Sequence, residues 1–571
     1  MTRRWLLLLA VLLLSGAAAP ATHAQTDGLL QLDDETHRFL QTQQTKGHLP
    51  DAFLSHRPLS VYEARRYLDS LAVRDSAEQI LTPGNRQQLA RLRGQTARPG
   101  ADWIQRRLPV YDNGRDMISI SGDRYGLQLN PRYYGFLGPS AHSEQSGRFV
   151  NSTAWRNTRG LRFSGHVGDH IFFESRVSEN QWRPQWPAPE SSIKGKNTAP
   201  RVGHISFYDE GDPYNFFEAT GIVGYRSRHF EIRAGRDRNH WGPGQGSVFL
   251  SDFSTVYDQA QIRATLGPVQ YSYLLARFLD AETESVFSGP DRPARWGVFH
   301  HIAIQLGDNL ELDLYEGVIM ARDTTAGGSN FDPAYLNPAV VFRPVERDLG
   351  SGGNAMLGAG ASWRPSFVPN TELYGQFVLD ELRVSRIGDQ WWGNKWGGTL
   401  GLHIVEPGIP HLSARLEASR LRPFLYSQRT SASAFLHMND LVGHPAGPNS
   451  IDLSVFLDYE PPGPWRGLLS ASWTVSGRNP IADDGSVINV GGDARVPSNN
   501  RTGRFGFALL DGVRQEHGIL DAAIEYEILP NLRLTAALRA ERLTDAQRGT
   551  DYYVSPRLLL NWGLPFQELR Y

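Results

Sequence analysis

The chain has 571 residues, with 58 Lys+Arg against 60 Asp+Glu, a net charge of −2, no cysteine, 57 glycines, and 26 Phe, 21 Tyr and 14 Trp. That balance removes a general electrostatic case for nucleic acid, and the missing cysteines exclude a disulfide scaffold, a thiolate zinc site and a cysteine nucleophile. Past the N-terminus no stretch approaches the roughly 18 apolar residues of a spanning helix, which excludes a polytopic helical membrane protein and leaves a large β-rich chain, soluble or in an outer membrane.

The first element is a secretory signal peptide over 1–24. Arg3 and Arg4 make its basic start, an apolar run follows over 5–14, and small residues lead to Thr22, His23 and Ala24. It is too short to span a bilayer, and cleavage is expected near Ala24. Residues 25–115 read as a periplasmic bundle of two or three helices with a link. Ser60 and Glu63 form a capping box, and Val61, Ala64, Leu68 and Leu71 continue at helical spacing. Thr82-Pro83 is a second helix start.

Beyond residue 115 the apolar period becomes two. Phe230, Ile232 and Ala234 alternate with Glu231 and Arg233; Ile262 and Ala264 alternate with Gln261, Arg263 and Thr265; Leu532, Leu534, Ala536 and Leu538 alternate with Arg533, Thr535, Ala537 and Arg539. Each such strand has one polar and one apolar face. A soluble sandwich would alternate too. The strands here run about 9–13 residues, as tilted membrane strands do, and the connections alternate short and long. Eight short ones, at 167–169, 227–229, 267–268, 307–309, 364–366, 407–409, 461–464 and 529–531, nearly all carry Gly, Pro, Asn or Asp. Nine long polar segments lie between them, at about 138–149, 180–202, 237–257, 280–295, 321–353, 384–394, 422–449, 477–514 and 544–551. Short turns at one end and long loops at the other describe an outer-membrane barrel, all-β and antiparallel, over 116–571. Eight turns and nine loops join 18 strands, with both chain ends periplasmic. The segment 117–121 reads as an extra strand outside the barrel, or else changes the strand count by two. The terminal Tyr571 partly matches the signal read by barrel-insertion machinery.

Inward positions are bulky and mixed in charge: Glu231, Arg233, Arg263, Asp380, Arg415 and Glu417 are the candidate lumen network, alongside Glu311, Asp313, Tyr374, Gln376 and Arg539. Facing Arg and carboxylate groups can pair and narrow the passage. The expectation is a crowded, largely closed lumen with the helical bundle near its periplasmic mouth; the alternative is an ordinary porin wall and a diffusion channel.

The long loops hold the distinctive motifs. Trp241-Gly242-Pro243-Gly244 follows a strand. Tyr335-Leu336-Asn337-Pro338 precedes Arg343-Pro344-Val345-Glu346. Gly443-His444-Pro445-Ala446-Gly447-Pro448-Asn449-Ser450 ends another loop, and Tyr374-Gly375-Gln376 lies upstream of Asp380-Glu381. In these the chain resembles the capsule-assembly Wzi family of outer-membrane proteins, over about 160–571, and most of all that family's longer relatives. The resemblance implies an 18-stranded barrel with an N-terminal helical bundle, and a lectin-like, non-catalytic role holding capsular or other surface polysaccharide at the cell exterior. Some relatives serve gliding motility instead.

Sugar recognition needs flat aromatic faces and fixed polar groups, with Arg or Lys for acidic sugars. The candidate contacts are Trp241, Trp391 and Trp392, joined by Trp182 and Trp186, with Arg236, Arg238, Arg343, Asn239, Asn337, His444 and Asn449. The same rings could instead form the interfacial girdle, and the Gly-Pro motifs could simply lock loop shape. His437, Asp440 and His444 share a loop without a nucleophile or third metal ligand at readable spacing, so no cofactor and no catalysis are expected. Asp483-Asp484 alone is weak support for a calcium site. The expected surroundings are surface polysaccharide and outer-membrane lipid or lipopolysaccharide.

Overall fold

The computed structural model describes residues 28–32, 34–94, 110–111, 116–122, 124–143, 149–184, 198–199, 201–206, 213–280, 294–320, 331–349 and 353–564. The segment 1–24 expected to be a signal peptide, Trp186 and Tyr571 lie outside the described residues.

Eighteen antiparallel strands close into a barrel. In chain order they are β1 Tyr125–Ser143, β2 Phe149–Val167, β3 Ile171–Arg183, β4 Tyr214–Arg226, β5 Phe230–Asp237, β6 Tyr257–Leu266, β7 Val269–Leu279, β8 Ala294–Leu306, β9 Leu310–Ile319, β10 Asn354–Trp363, β11 Thr371–Glu381, β12 Lys395–Val405, β13 Leu412–Leu421, β14 Ser450–Tyr459, β15 Trp465–Arg478, β16 Val513–Leu529, β17 Leu532–Asp545 and β18 Gly549–Trp562. All eight tight connections fall where the sequence places them. Outward positions such as Leu400, Leu416, Leu469 and Leu558 are exposed and apolar, and inward ones are buried and mostly polar. A closed wall removes the open strand edges that would leave backbone groups unpaired in an apolar band.

The seam explains the short strand Ile118–Gly122. β18 pairs with the upper part of β1, down to Trp562↔Tyr133. Below that, Ile118–Gly122 pairs with the foot of β1, from Ile118↔Leu129 to Gly122↔Tyr125. It therefore completes the wall where β18 stops, rather than standing outside the barrel, and the closure stays at 18 strands.

Among the described residues, three helices precede the wall: α1 Glu35–Thr45, α2 Val61–Glu78 and α3 Pro83–Leu92. Ser60 accepts from the Glu63 amide and Thr82 from the Asn85 amide, as their sequence signals require. Leu40, Leu54, Leu68, Leu71 and Leu81 form their shared core. The bundle plugs the periplasmic mouth. The Arg66 guanidinium donates to the Arg228 carbonyl in one periplasmic turn, and Arg38 pairs with Glu460 in another at 2.6 Å. Residues between α1 and α2 reach far into the lumen: His56 and Arg57 pair, strand to strand, with Trp241 and His240 of the loop after β5.

One loop turns outward. Residues 331–349, ending in α4 Phe342–Leu349, lie as a strap against the outer face of β7–β9. Tyr335 and Phe342 pack there with Tyr273, Val298 and Val318. The strap's polar backbone is met by wall side chains. Glu316 accepts from the Phe342 and Arg343 amides, both at 2.9 Å. The Tyr273 hydroxyl donates to the Tyr335 carbonyl at 2.9 Å, and that of Tyr271 to the Pro338 carbonyl. Leu336 and Val341 point away from the wall, exposed.

Candidate functional site

The lumen holds a dry core where an aqueous channel would run. Inward side chains Leu274, Phe278, Phe299, Tyr315, Met356, Val378 and Leu421 pack against two infolded loops, which contribute Trp241, Phe249, Leu250, Tyr426, Phe435 and Val442. Trp241 has no exposed surface. Its indole meets the rings of His56 at 4.6 Å, His301 at 5.5 Å, and Phe299 and Tyr315 at 6.4 and 6.3 Å.

The predicted lumen network points inward and is buried at all six positions. Its partners, however, are mostly plug and loops, not the opposite wall. Arg263 pairs with Glu63 of the capping box at 2.7 Å, so that carboxylate turns to the wall. Arg233 donates to the Pro58 carbonyl and to Asn239, and lies 3.7 Å from Glu231. Glu417 accepts from the Gln245 and Gly246 amides at 2.6 and 3.2 Å and from the Tyr374 hydroxyl at 2.6 Å. Arg415 donates to the Pro243 carbonyl. Asp380 accepts from the Tyr426 amide. The wall charges are clamps for the plug and for the loops after β5 and β13. The Trp-Gly-Pro-Gly motif has the conformation those clamps need: Gly242 sits at φ +127°, and a Cβ there would lie 2.0 Å from the Gln376 amide nitrogen. Cross-strand pairing, as expected from the sequence, occurs on β16–β18, where Asp521 takes Arg539 at 2.9 Å and Arg557 at 3.2 Å.

The ten predicted polysaccharide contacts do not come together. Trp241, Asn239, His444 and Asn449 are buried and bonded or packed within the fold, away from the surface where a polymer would meet them. Asn239 donates to Tyr257 and Gln259 and accepts from Arg233. His444 bonds Ser419 through Nε2 and accepts from the Ala446 amide. Asn449 donates to the Gly477 and Asp511 carbonyls and accepts from the Leu510 amide, joining three segments. Arg236 faces outward from β5 and pairs with Asp258 at 3.3 Å on the exterior wall. Asn337 and Arg343 belong to the strap, because the apolar outer face of β7–β9 draws that loop away from the extracellular opening. Arg238 faces the lumen and pairs with Glu218 at 2.9 Å. Trp182, whose ring lies 6.0 Å from Tyr214, also turns inward.

Trp391 and Trp392 remain at the extracellular end. The loop after β11 meets the long loop after β15 there: the Trp392 amide donates to the Arg504 carbonyl and the Phe507 amide to the Gln390 carbonyl. The two indoles lie 5.8 Å apart. Arg501 stacks 3.9 Å over Trp392, and Arg386 lies 5.4 Å over Phe505. Phe505, Val384 and Ile387 are 50%, 72% and 64% exposed. This aromatic and cationic ledge is the predicted kind of surface, and its Arg386, Arg501 and Phe505 were not foreseen; two cations flanking aromatics in separate loops carry no joint spacing signal.

No family model and no curated protein matches the sequence. Among solved structures the chain is similar to several β-barrels. Wzi of Escherichia coli, described as an outer membrane protein involved in group 1 capsule assembly and a carbohydrate-binding β-barrel, is 13% identical, with 95% of this chain and 100% of that one covered and a TM-score of 0.54. OpdK of Pseudomonas aeruginosa, solved with vanillate, is 11% identical over 76% of this chain and 98% of that one, with a TM-score of 0.42. OprD of Pseudomonas aeruginosa is 10% identical over 76% and 94%, with a TM-score of 0.38. At such identities the likeness is one of fold: an outer-membrane type of β-barrel.

Proposed function

We propose that the protein is an outer-membrane, lectin-like barrel that holds surface polysaccharide at the cell exterior without catalysis, after export by a cleaved signal peptide. The observation that carries this reading is the filled lumen. Plug and infolded loops replace an open passage with packed side chains, and the aromatic and cationic chemistry lies on the extracellular ledge around Trp391, Trp392 and Phe505. Stacked rings bind the C–H faces of sugars, and guanidinium groups bind hydroxyls and carboxylates. The lipid-facing apolar wall supports the outer-membrane setting. Wzi, a carbohydrate-binding barrel of capsule assembly, supports the same reading by fold alone.

Two measurements test it together. Purified full-length protein in planar bilayers stays silent, and it captures surface polysaccharide on beads. Trp391→Ala with Trp392→Ala lowers capture at least fivefold, while Arg343→Ala on the strap leaves it unchanged. A large, stable conductance with no polymer capture overturns the reading in favour of a diffusion channel.

A further inference from the structure

A cavity of about 350 Å³ persists in the lumen beside the dry core, a size that takes small molecules. Part of it is lined by β1–β4, which place Arg132, Arg156, Arg176 and Glu218 inward. The register puts Arg132 opposite Gly160, Gly160 opposite Ser178, and Ser178 opposite Glu218. Two small residues therefore separate Arg132 from the carboxylate in its own row and leave a recess.

The carboxylates here are already engaged. Glu218 takes Arg238 at 2.9 Å and lies only within 3.7 Å of Arg132. Arg176 is taken by Asp237 at 2.6 Å and Glu174 at 2.7 Å. Arg132 is 5% exposed, and its Nε and Nη1 have no hydrogen-bond partner among the described residues. A buried guanidinium with unmade N–H bonds is costly and offers them to an anion such as a carboxylate. Arg156, bonded to Thr158 and Asn180, lies 5.4 Å over the Tyr134 ring and 5.5 Å over that of Phe216, so cation and ring face stand together. Glu218 and Arg238 keep 25% and 19% of their side-chain surface, so solvent reaches the recess.

We infer that this recess binds the carboxylate of an acidic sugar, with Arg132 gripping the anion and Phe216 beside the sugar ring. The inference rests on the polysaccharide reading and names its ligand as an anionic sugar unit inside the barrel, apart from the extracellular ledge. The test is calorimetric titration of the full-length protein in detergent with D-glucuronate, D-glucose and acetate. Glucuronate is expected to bind at least tenfold more tightly than either, and more weakly as salt rises. Arg132→Gln should weaken glucuronate at least tenfold, and Arg132→Lys, which keeps the charge and loses the guanidinium N–H groups, by less. Arg236→Gln, on the outer wall, should leave it unchanged. Removing a buried, underbonded charge should not lower the melting temperature of Arg132→Gln, whereas loss of a merely structural residue would. Equal binding of glucose, equal binding of acetate, or parental affinity in Arg132→Gln overturns the inference. If neutral polymer is still captured, the polysaccharide reading survives that failure; if no saccharide binds at all, both fall.

Discussion

The two flanks of the lumen belong to one closed wall and hold opposite contents. Around β7–β11 the inward positions near the extracellular end are Phe278, Phe299, Tyr315 and Val378, and they bury the loops that carry Trp241 and Tyr426. Across the barrel, β1–β4 and β16–β18 turn arginines and carboxylates inward, with a cavity retained against β1–β4. The first flank is organised like a soluble core, by exclusion of water. The second is organised by charge pairing, in which each group needs its own partner. Closure of the barrel and specificity of its contents can thus be carried by different sides of one wall.

Breaking the dry flank should have the largest effect. Trp241→Ala is expected to cost about 3–5 kcal/mol, read as a drop in the unfolding midpoint in detergent. Glu417→Ala leaves the Gln245 and Gly246 amides unmet and should cost about 3 kcal/mol, with faster proteolysis of the loop after β5. Asn449→Ala removes the bonds joining three segments and should cost about 1–3 kcal/mol, seen as faster hydrogen exchange at Leu510.

A smaller effect sharpens the comparison through pH, at the hairpin where His437 opposes Asp440. Burial pushes the His437 imidazole from 6.5 down to about 3 and the Asp440 carboxyl from 3.8 up to about 7. The histidine's contribution is whole above 6.5 and is lost as pH falls toward 3; the aspartate's is whole below 3.8 and is lost as pH rises through 7. Between about 4 and 6.5 the slopes oppose one another. His437→Gln should therefore leave stability falling over that window, and Asp440→Asn should leave it rising, each by about 1 kcal/mol per pH unit. Melting temperatures at pH 4.5 and 6.5 check both signs.

The wall was legible because period-two alternation and turn chemistry are local: 307–309 and 529–531 announce their turns without help from distant residues. The burial of the six network residues was also legible, since the alternation sets which side each faces. Their partners were not, because Arg263 meets Glu63 across 200 positions. A signal of the dry flank was nevertheless present. Tyr273-Leu274-Leu275-Ala276 and Gly317-Val318-Ile319-Met320 are apolar on both faces, the mark of a strand covered on both sides. The motif residues were misplaced for a related reason: Trp241 and His444 sit in loops, and loops are expected at the surface, whereas these two fold inward and become core.

The strap carries a consequence for how the wall meets lipid. Glu316 and His300 stand on the outer face of the wall, where a bare carboxylate or imidazole would meet hydrocarbon, and α4 and Phe342 roof them over. With that roof absent, a carboxyl group and an imidazole would face the surroundings of the wall. With it seated, this side of the cylinder turns the strap outward and keeps both polar groups covered.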